Sequence, residues 1–95
     1  MIRNSRTPLF SLGHTFATPA ALRALECAGA LPFALLVRHQ CGDWGELDAE
    51  DRAANDRAVI DGTRILSAYV IGNEKIYVIT EADRSSTTVL LASEY

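Results

Sequence analysis

The sequence predicts an α+β fold: two or three N-terminal helices packed on a three- to four-stranded antiparallel sheet that closes the chain as a meander. Three observations carry this. Thr18-Pro19 and Leu31-Pro32 are paired helix-start signals in the first third. The hydrophobic period changes from helical spacing to strict alternation after Gly62. Gly72-Asn73 then separates two alternating runs, as a two-residue hairpin turn does. The chain has 95 residues, 48% hydrophobic and 22% charged, which suits one domain over 1–95 with a single modest core.

Residues 1–11 read as irregular, with a short strand near Phe10 and Leu12. The first helix starts at Thr18 as N-cap with Pro19 behind it, and Gly29 ends it. Ala21, Leu22, Leu25 and Ala28 recur at helical spacing and are expected in the core. A second helix over 32–40 puts Phe33, Leu36, Val37 and Gln40 on one side; a buried strand over 34–38 is the alternative. Asp48 caps a third helix that Gly62 terminates, with Asp51 at its third position. Its Leu47, Ala54 and Ala58 share a side with Asp51, and Asn55 lies at that side's edge, where a buried amide needs a neighbouring partner.

The strands follow over 63–71, 74–80 and 87–91. With Gly72-Asn73 as the turn, Ile71 faces Glu74, Tyr69 lies beside Ile76, Ala68 beside Tyr77, and Arg64 opposite Glu81 as a cross-strand ion pair. Asp83 in the next loop is placed to bond backbone N–H groups ahead of it.

Charge is unevenly spread. Segment 41–61 carries seven acids against Arg52 and Arg57, while the whole chain has a net charge of −3. The missing basic footprint argues against direct nucleic-acid binding. An acidic segment suits a basic protein surface, or imitates a phosphate backbone. The longest apolar stretch, 28–37, is too short to span a bilayer, and the first residues lack the apolar run of a secretory signal. The expected location is the cytoplasm, with Cys27 and Cys41 reduced and buried as small apolar residues. No close pair of metal ligands occurs, so neither a metal nor a cofactor is expected.

Three patches hold the candidate functional residues. In Arg38-His39-Gln40-Cys41-Gly42-Asp43-Trp44-Gly45, His39 is a candidate general base with Asp43 as its orienter. Trp44 is a candidate aromatic anchor for a partner. The third helix adds Asp51 and Asn55, and the 81–86 loop adds Asp83 and Arg84.

These patches resemble a family of small proteobacterial proteins encoded on plasmids and other mobile elements. The matching stretches include Ala17-Thr-Pro-Ala-Ala-Leu22, Gly42-Asp-Trp-Gly45, Glu50-Asp51, Asn55-Asp56, Arg64-Ile-Leu-Ser-Ala-Tyr69, Ile79-Thr-Glu-Ala-Asp-Arg-Ser85 and Ser93-Glu94-Tyr95. Some members are associated with type I restriction or methylation. The present chain is too short to be a methyltransferase and has no cofactor-binding glycine pattern. The resemblance implies an accessory protein that acts by protein–protein interaction on a host defence system, as an anti-CRISPR or anti-restriction inhibitor. Trp44, Glu46, Glu50, Asp56 and Arg84 would form its contact surface. The alternative is a small metal-dependent hydrolase or nuclease using His39, Asp43, Asp51, Asn55 and Asp83, which requires these side chains to converge. An exposed edge strand would also allow a homodimer.

Overall fold

The structure is a computed structural model that describes residues 7–95. The expected irregularity of residues 1–6 lies outside the described residues; 7–11 contain no helix or strand. The elements run β1 (His14–Ala17), α1 (Pro19–Cys27), α2 (Pro32–Gln40), α3 (Ala49–Asp61), β2 (Ile65–Ile71), β3 (Glu74–Thr80) and β4 (Ser86–Leu91), then a short 3-10 turn, Ala92–Glu94. The sheet order is β1-β4-β3-β2.

The fold is α+β, with the helices on a C-terminal meander. The sheet is mixed rather than purely antiparallel, because β1 joins the meander parallel to β4. The expected strand at 10–12 is displaced to His14–Ala17 for a local reason. Gly13 takes φ +65° where the chain runs against the backbone of Arg84 and Ser85, so that passage admits no Cβ. The extended run begins only beyond it. A four-residue strand leading straight into α1 then crosses to β4, and a crossover of that length permits parallel pairing.

The caps act as the sequence predicts. Thr18 accepts from the Ala21 N–H, Asp48 accepts from the Asp51 N–H, and Gly62 ends α3 in the left-handed conformation. The hairpin register is also as predicted, with Ile71 opposite Glu74, Tyr69 opposite Ile76, and Arg64 to Glu81 at 3.8 Å.

One sheet face carries α1 and α2. Ala21 and Leu25 of α1 and Leu35 of α2 pack on Tyr69, Ile76, Val78 and Val89. Helix faces depart from expectation here. Leu22 is 43% exposed and Phe33 is 72% exposed, whereas Leu35 and His39 are the buried residues of α2. In α3 the buried residues are Asn55 and Ala58, not Ala54. Cys41 is buried as expected but Cys27 is exposed, and both are free thiols.

The opposite sheet face is thinly covered. Tyr95 packs edge-on against Tyr77, at 5.7 Å between ring centroids, and accepts a hydrogen bond from Arg64. Phe16 and Val70 stay largely in water. No single helix among the described residues is long and apolar enough to cross a membrane.

Candidate functional site

His39 lies at the centre of the first patch, fully buried at the end of α2. Its Nδ1 is 2.5 Å from Ser67 Oγ on β2, and its Nε2 is 2.8 Å from Thr80 Oγ1 on β3. Thr80 continues to Thr87 on β4 at 2.7 Å, and the Thr87 hydroxyl donates to the Leu12 carbonyl at 2.7 Å. Counting protons from the carbonyl fixes three of the four directions. The carbonyl can only accept, so Thr87 spends its one proton there. Thr80 therefore donates to Thr87, and His39 Nε2–H donates to Thr80. Burial, and after it the Arg84 charge, push the His39 pKa down to about 3, so the imidazole is neutral with its proton on Nε2. Nδ1 then accepts from the Ser67 hydroxyl.

This chain of four side chains pins α2 to three strands and to the segment before β1. It satisfies both ring nitrogens, as a buried polar group requires. Phe10 and Trp44 close over the ring at 5.2 and 6.0 Å. His39 is held by hydroxyls and not by Asp43, so the expected base–orienter pair is not formed. Sequence reasoning missed this network. The signal was present: Ser67 interrupts the alternating set Ile65, Tyr69 and Ile71 on what should be an apolar face.

Asp43 is occupied elsewhere. It accepts from Arg38 Nε at 2.7 Å and from the Gly45 N–H, so it shapes the Gly42–Gly45 turn. Arg38 in turn lies 4.5 Å over the Tyr69 ring, and the Tyr69 hydroxyl donates to the Asp43 carbonyl at 2.6 Å. Burial raises the pKa of that phenol, keeping it protonated.

Trp44 is 3% exposed, so it is a core residue and not a surface anchor. It packs with Ala58 and Ile65, and its indole N–H donates to Asp56 at 3.0 Å. That bond ties one carboxylate oxygen of Asp56 to the core while the residue itself stays exposed.

Asn55 finds its partner in β2. Its amide Nδ2 donates to the Leu66 carbonyl at 2.7 Å and its Oδ1 accepts from the Leu66 N–H at 3.3 Å. Two residues further along, the backbone of segment 44–46 does the same: Ala68 N–H donates to Trp44 O, and Glu46 N–H donates to Ala68 O at 2.6 Å. Gly45 sits between them at φ +75°, so near that a Cβ would strike the Ala68 carbonyl. Asn55 therefore acts as a side-chain substitute for a strand, and 44–46 as a single rung of one.

Arg84 is half-buried and bonds backbone carbonyls. It lies in the left-handed region at φ +61°. Its guanidinium donates to Ala58 O at 2.9 Å and Thr63 O at 2.7 Å, capping the last turn of α3, and it stacks 5.5 Å over Phe10. Asp83 is exposed, and hydrogen bonding from the Ser85 side chain and then from its N–H lowers the Asp83 pKa. Asp51 is exposed beside a cleft of about 220 Å³ shared with Leu47, Ala54, Asn55 and Leu66.

The structure thus brings His39, Trp44 and Phe10 together, and separately Asp51 with Asn55. It places Asp43 in its own turn and Asp83 in the β3–β4 loop. Among the described residues no group of three His, Cys, Asp or Glu side chains could hold a metal ion. Exposed and outside these networks, beside and along α3, are the acids Glu46, Glu50 and Asp61 together with the arginines Arg52 and Arg57. A larger, mostly apolar groove of about 630 Å³ runs between α1 and the β2–β3 turn, past Arg23, Cys27, Ile71 and Glu74. No family model matches the chain, and comparison with curated proteins and with solved structures gives no match.

Proposed function

We propose that the protein acts by binding another protein through the acidic side of α3 and the turn before it. Following the resemblance to mobile-element proteins, we take the partner to be a host defence assembly of the CRISPR or type I restriction kind. The observation that supports this most is how α3 is mounted. Asn55 ties its middle to β2, Arg84 closes its C-terminus, and the Trp44–Asp56 bond braces its flank. A helix this polar gains little from apolar burial, yet three side-chain links hold it in one orientation. Its outer side then offers Glu50 and Asp61 with Arg57 between them, and Glu46 just before it, an excess of acid at fixed positions to solvent.

A rigid array of carboxylates is what a basic protein surface selects. Such surfaces are common where a phosphate backbone is held, and a fixed array loses less entropy on binding than a flexible one. The reactive groups weighed for a hydrolase or nuclease have structural partners instead: hydroxyls for His39, Arg38 for Asp43, and the β2 backbone for Asn55.

The test is affinity capture of the tagged protein from its host after nuclease treatment, in parallel with the Glu46→Lys, Glu50→Lys double variant. A defence-complex subunit held at stoichiometric level by the wild type, released by salt, and lost with the variant is the expected result. Capture that survives charge reversal removes the acidic-surface reading. No retained subunit at all removes the interaction itself. Thermal melts of both proteins check that the variant is folded, since Glu50 lies in the first turn of α3 and its reversal costs up to about 1 kcal/mol there.

A further inference from the structure

The two edges of the sheet differ, and the open one is self-complementary. In β1, the His14 N–H donates to Ser85 O and the Thr18 N–H donates to Val89 O. Bonding to a neighbour alternates along a strand, so His14, Phe16 and Thr18 point their peptide groups at β4. Thr15 and Ala17 point theirs the other way, where no strand lies among the described residues. The strand His14-Thr-Phe-Ala17 contains no proline and no lysine, glutamate or aspartate, the residues that usually guard an open edge.

The geometry points to a twofold homodimer in which β1 pairs antiparallel with β1 of a second copy. The outward groups dictate the register. Thr15 bonds Ala17 of the second copy, and Ala17 bonds Thr15, each pair exchanging two N–H···O=C bonds. The ladder stops there on both sides, because the Gly13 N–H turns back to Ser11 Oγ and Pro19 has no N–H. In this register Phe16 faces its own symmetry mate across the axis, as a non-hydrogen-bonded pair on the sheet face away from the helices. Phe16 is 58% exposed, and the contact would cover an aromatic side chain that β1 otherwise leaves in water.

The axis stands perpendicular to the sheet, so helices from both copies share one side and the eight strands run continuously. The outer edges of that sheet are the two β2 strands, the edge already closed at Leu66 by Asn55 and at Ala68 by segment 44–46. Pairing through β1 therefore ends assembly at two copies and does not propagate.

The experiment is sedimentation across a concentration series, with disulfide trapping at the axis. The wild type is expected to shift from 10.3 kDa toward twice that mass with rising concentration. Phe16→Asp, which sets two carboxylates opposite each other, is expected to weaken association about tenfold or more while keeping the wild-type circular dichroism. In a Cys27→Ser background, Phe16→Cys is expected to cross-link under mild oxidation, since directly opposed Cβ atoms lie about 4.5–5.5 Å apart, near disulfide reach. His14→Cys is not, because this register separates the two copies of residue 14 by about 14 Å. A chain that stays monomeric at every concentration, dimerisation unchanged by Phe16→Asp, or equal cross-linking at 14 and 16 would each overturn the pairing.

Discussion

The β2 side of the sheet and the β1 side are built on different principles. Around β2, polar side chains do the fixing: Asn55 on Leu66, Ser67 on His39, Trp44 on Asp56, Arg84 on the end of α3. Around β1, backbone bonds to β4 are supplemented only at the strand's ends. Thr87 reaches the Leu12 carbonyl, and Thr18 donates to Glu94. The difference shows what a small domain does with limited apolar volume. A short, polar helix such as α3 cannot be held by burial alone, so partly buried side-chain hydrogen bonds hold it in addition. β1 needs no such help from the monomer, and it keeps its outer bonds and Phe16 available.

Acid should break the β2 side first, and by the largest amount. His39 is neutral in the folded protein with a pKa of about 3, against 6.5 when unfolded. Below 6.5 the unfolded chain takes up the proton and the folded one does not. Stability is therefore full above about pH 6.5 and falls as pH drops toward 3, by about 1.4 kcal/mol per pH unit and roughly 5 kcal/mol in all. Urea midpoints measured from pH 8 to 4 should show this slope, and His39→Gln should remove most of it. An identical slope in that variant would place the acid sensitivity elsewhere.

Gly45→Val comes next. It adds a Cβ into the Ala68 carbonyl at a positive φ, so the 44–46 rung must leave β2; we expect about 3–4 kcal/mol of lost stability, read by chemical denaturation. Asn55→Ala strips both polar partners from Leu66 and should cost about 2–3 kcal/mol. Asn55→Asp sharpens the reading. It keeps an acceptor for the Leu66 N–H but turns a carboxylate oxygen on the Leu66 carbonyl, so it should not rescue. If it does, the amide is not acting as a strand substitute. Phe16→Asp, on the other edge, should change monomer stability by less than about 0.5 kcal/mol, because the side chain is largely in water.

Much of the scaffold was legible in the residues. Thr18-Pro19, Asp48 and Gly62 state where helices begin and end because caps are local chemistry, settled within one turn. Gly72-Asn73 states the hairpin and its register for the same reason. The faces of α1 and α2 were not legible. The 31–37 run is apolar nearly all round, so periodicity cannot choose a side, and Phe33 went to solvent while His39 went in. The candidate site was less legible still. The residue types in the 38–45 patch are those of a catalytic dyad, but Ser67 and Thr80, 28 and 41 residues further along, claim the imidazole. The same holds for Trp44, which the sequence offers as an anchor and the fold buries behind Asp56.

The sequence by itself determined the α+β class, the helix caps, the hairpin register and the acidity of the 41–61 segment, because each depends on neighbours within a few residues or on composition. Tertiary structure alone decided that β1 lies parallel to β4, that His39 is a neutral core residue, that Asn55 and Arg84 bond the backbone around α3 and β2, and which sheet edge is closed. Those outcomes turn on which groups meet across long stretches of chain. Every buried donor and acceptor must find a partner, and only the folded arrangement names it.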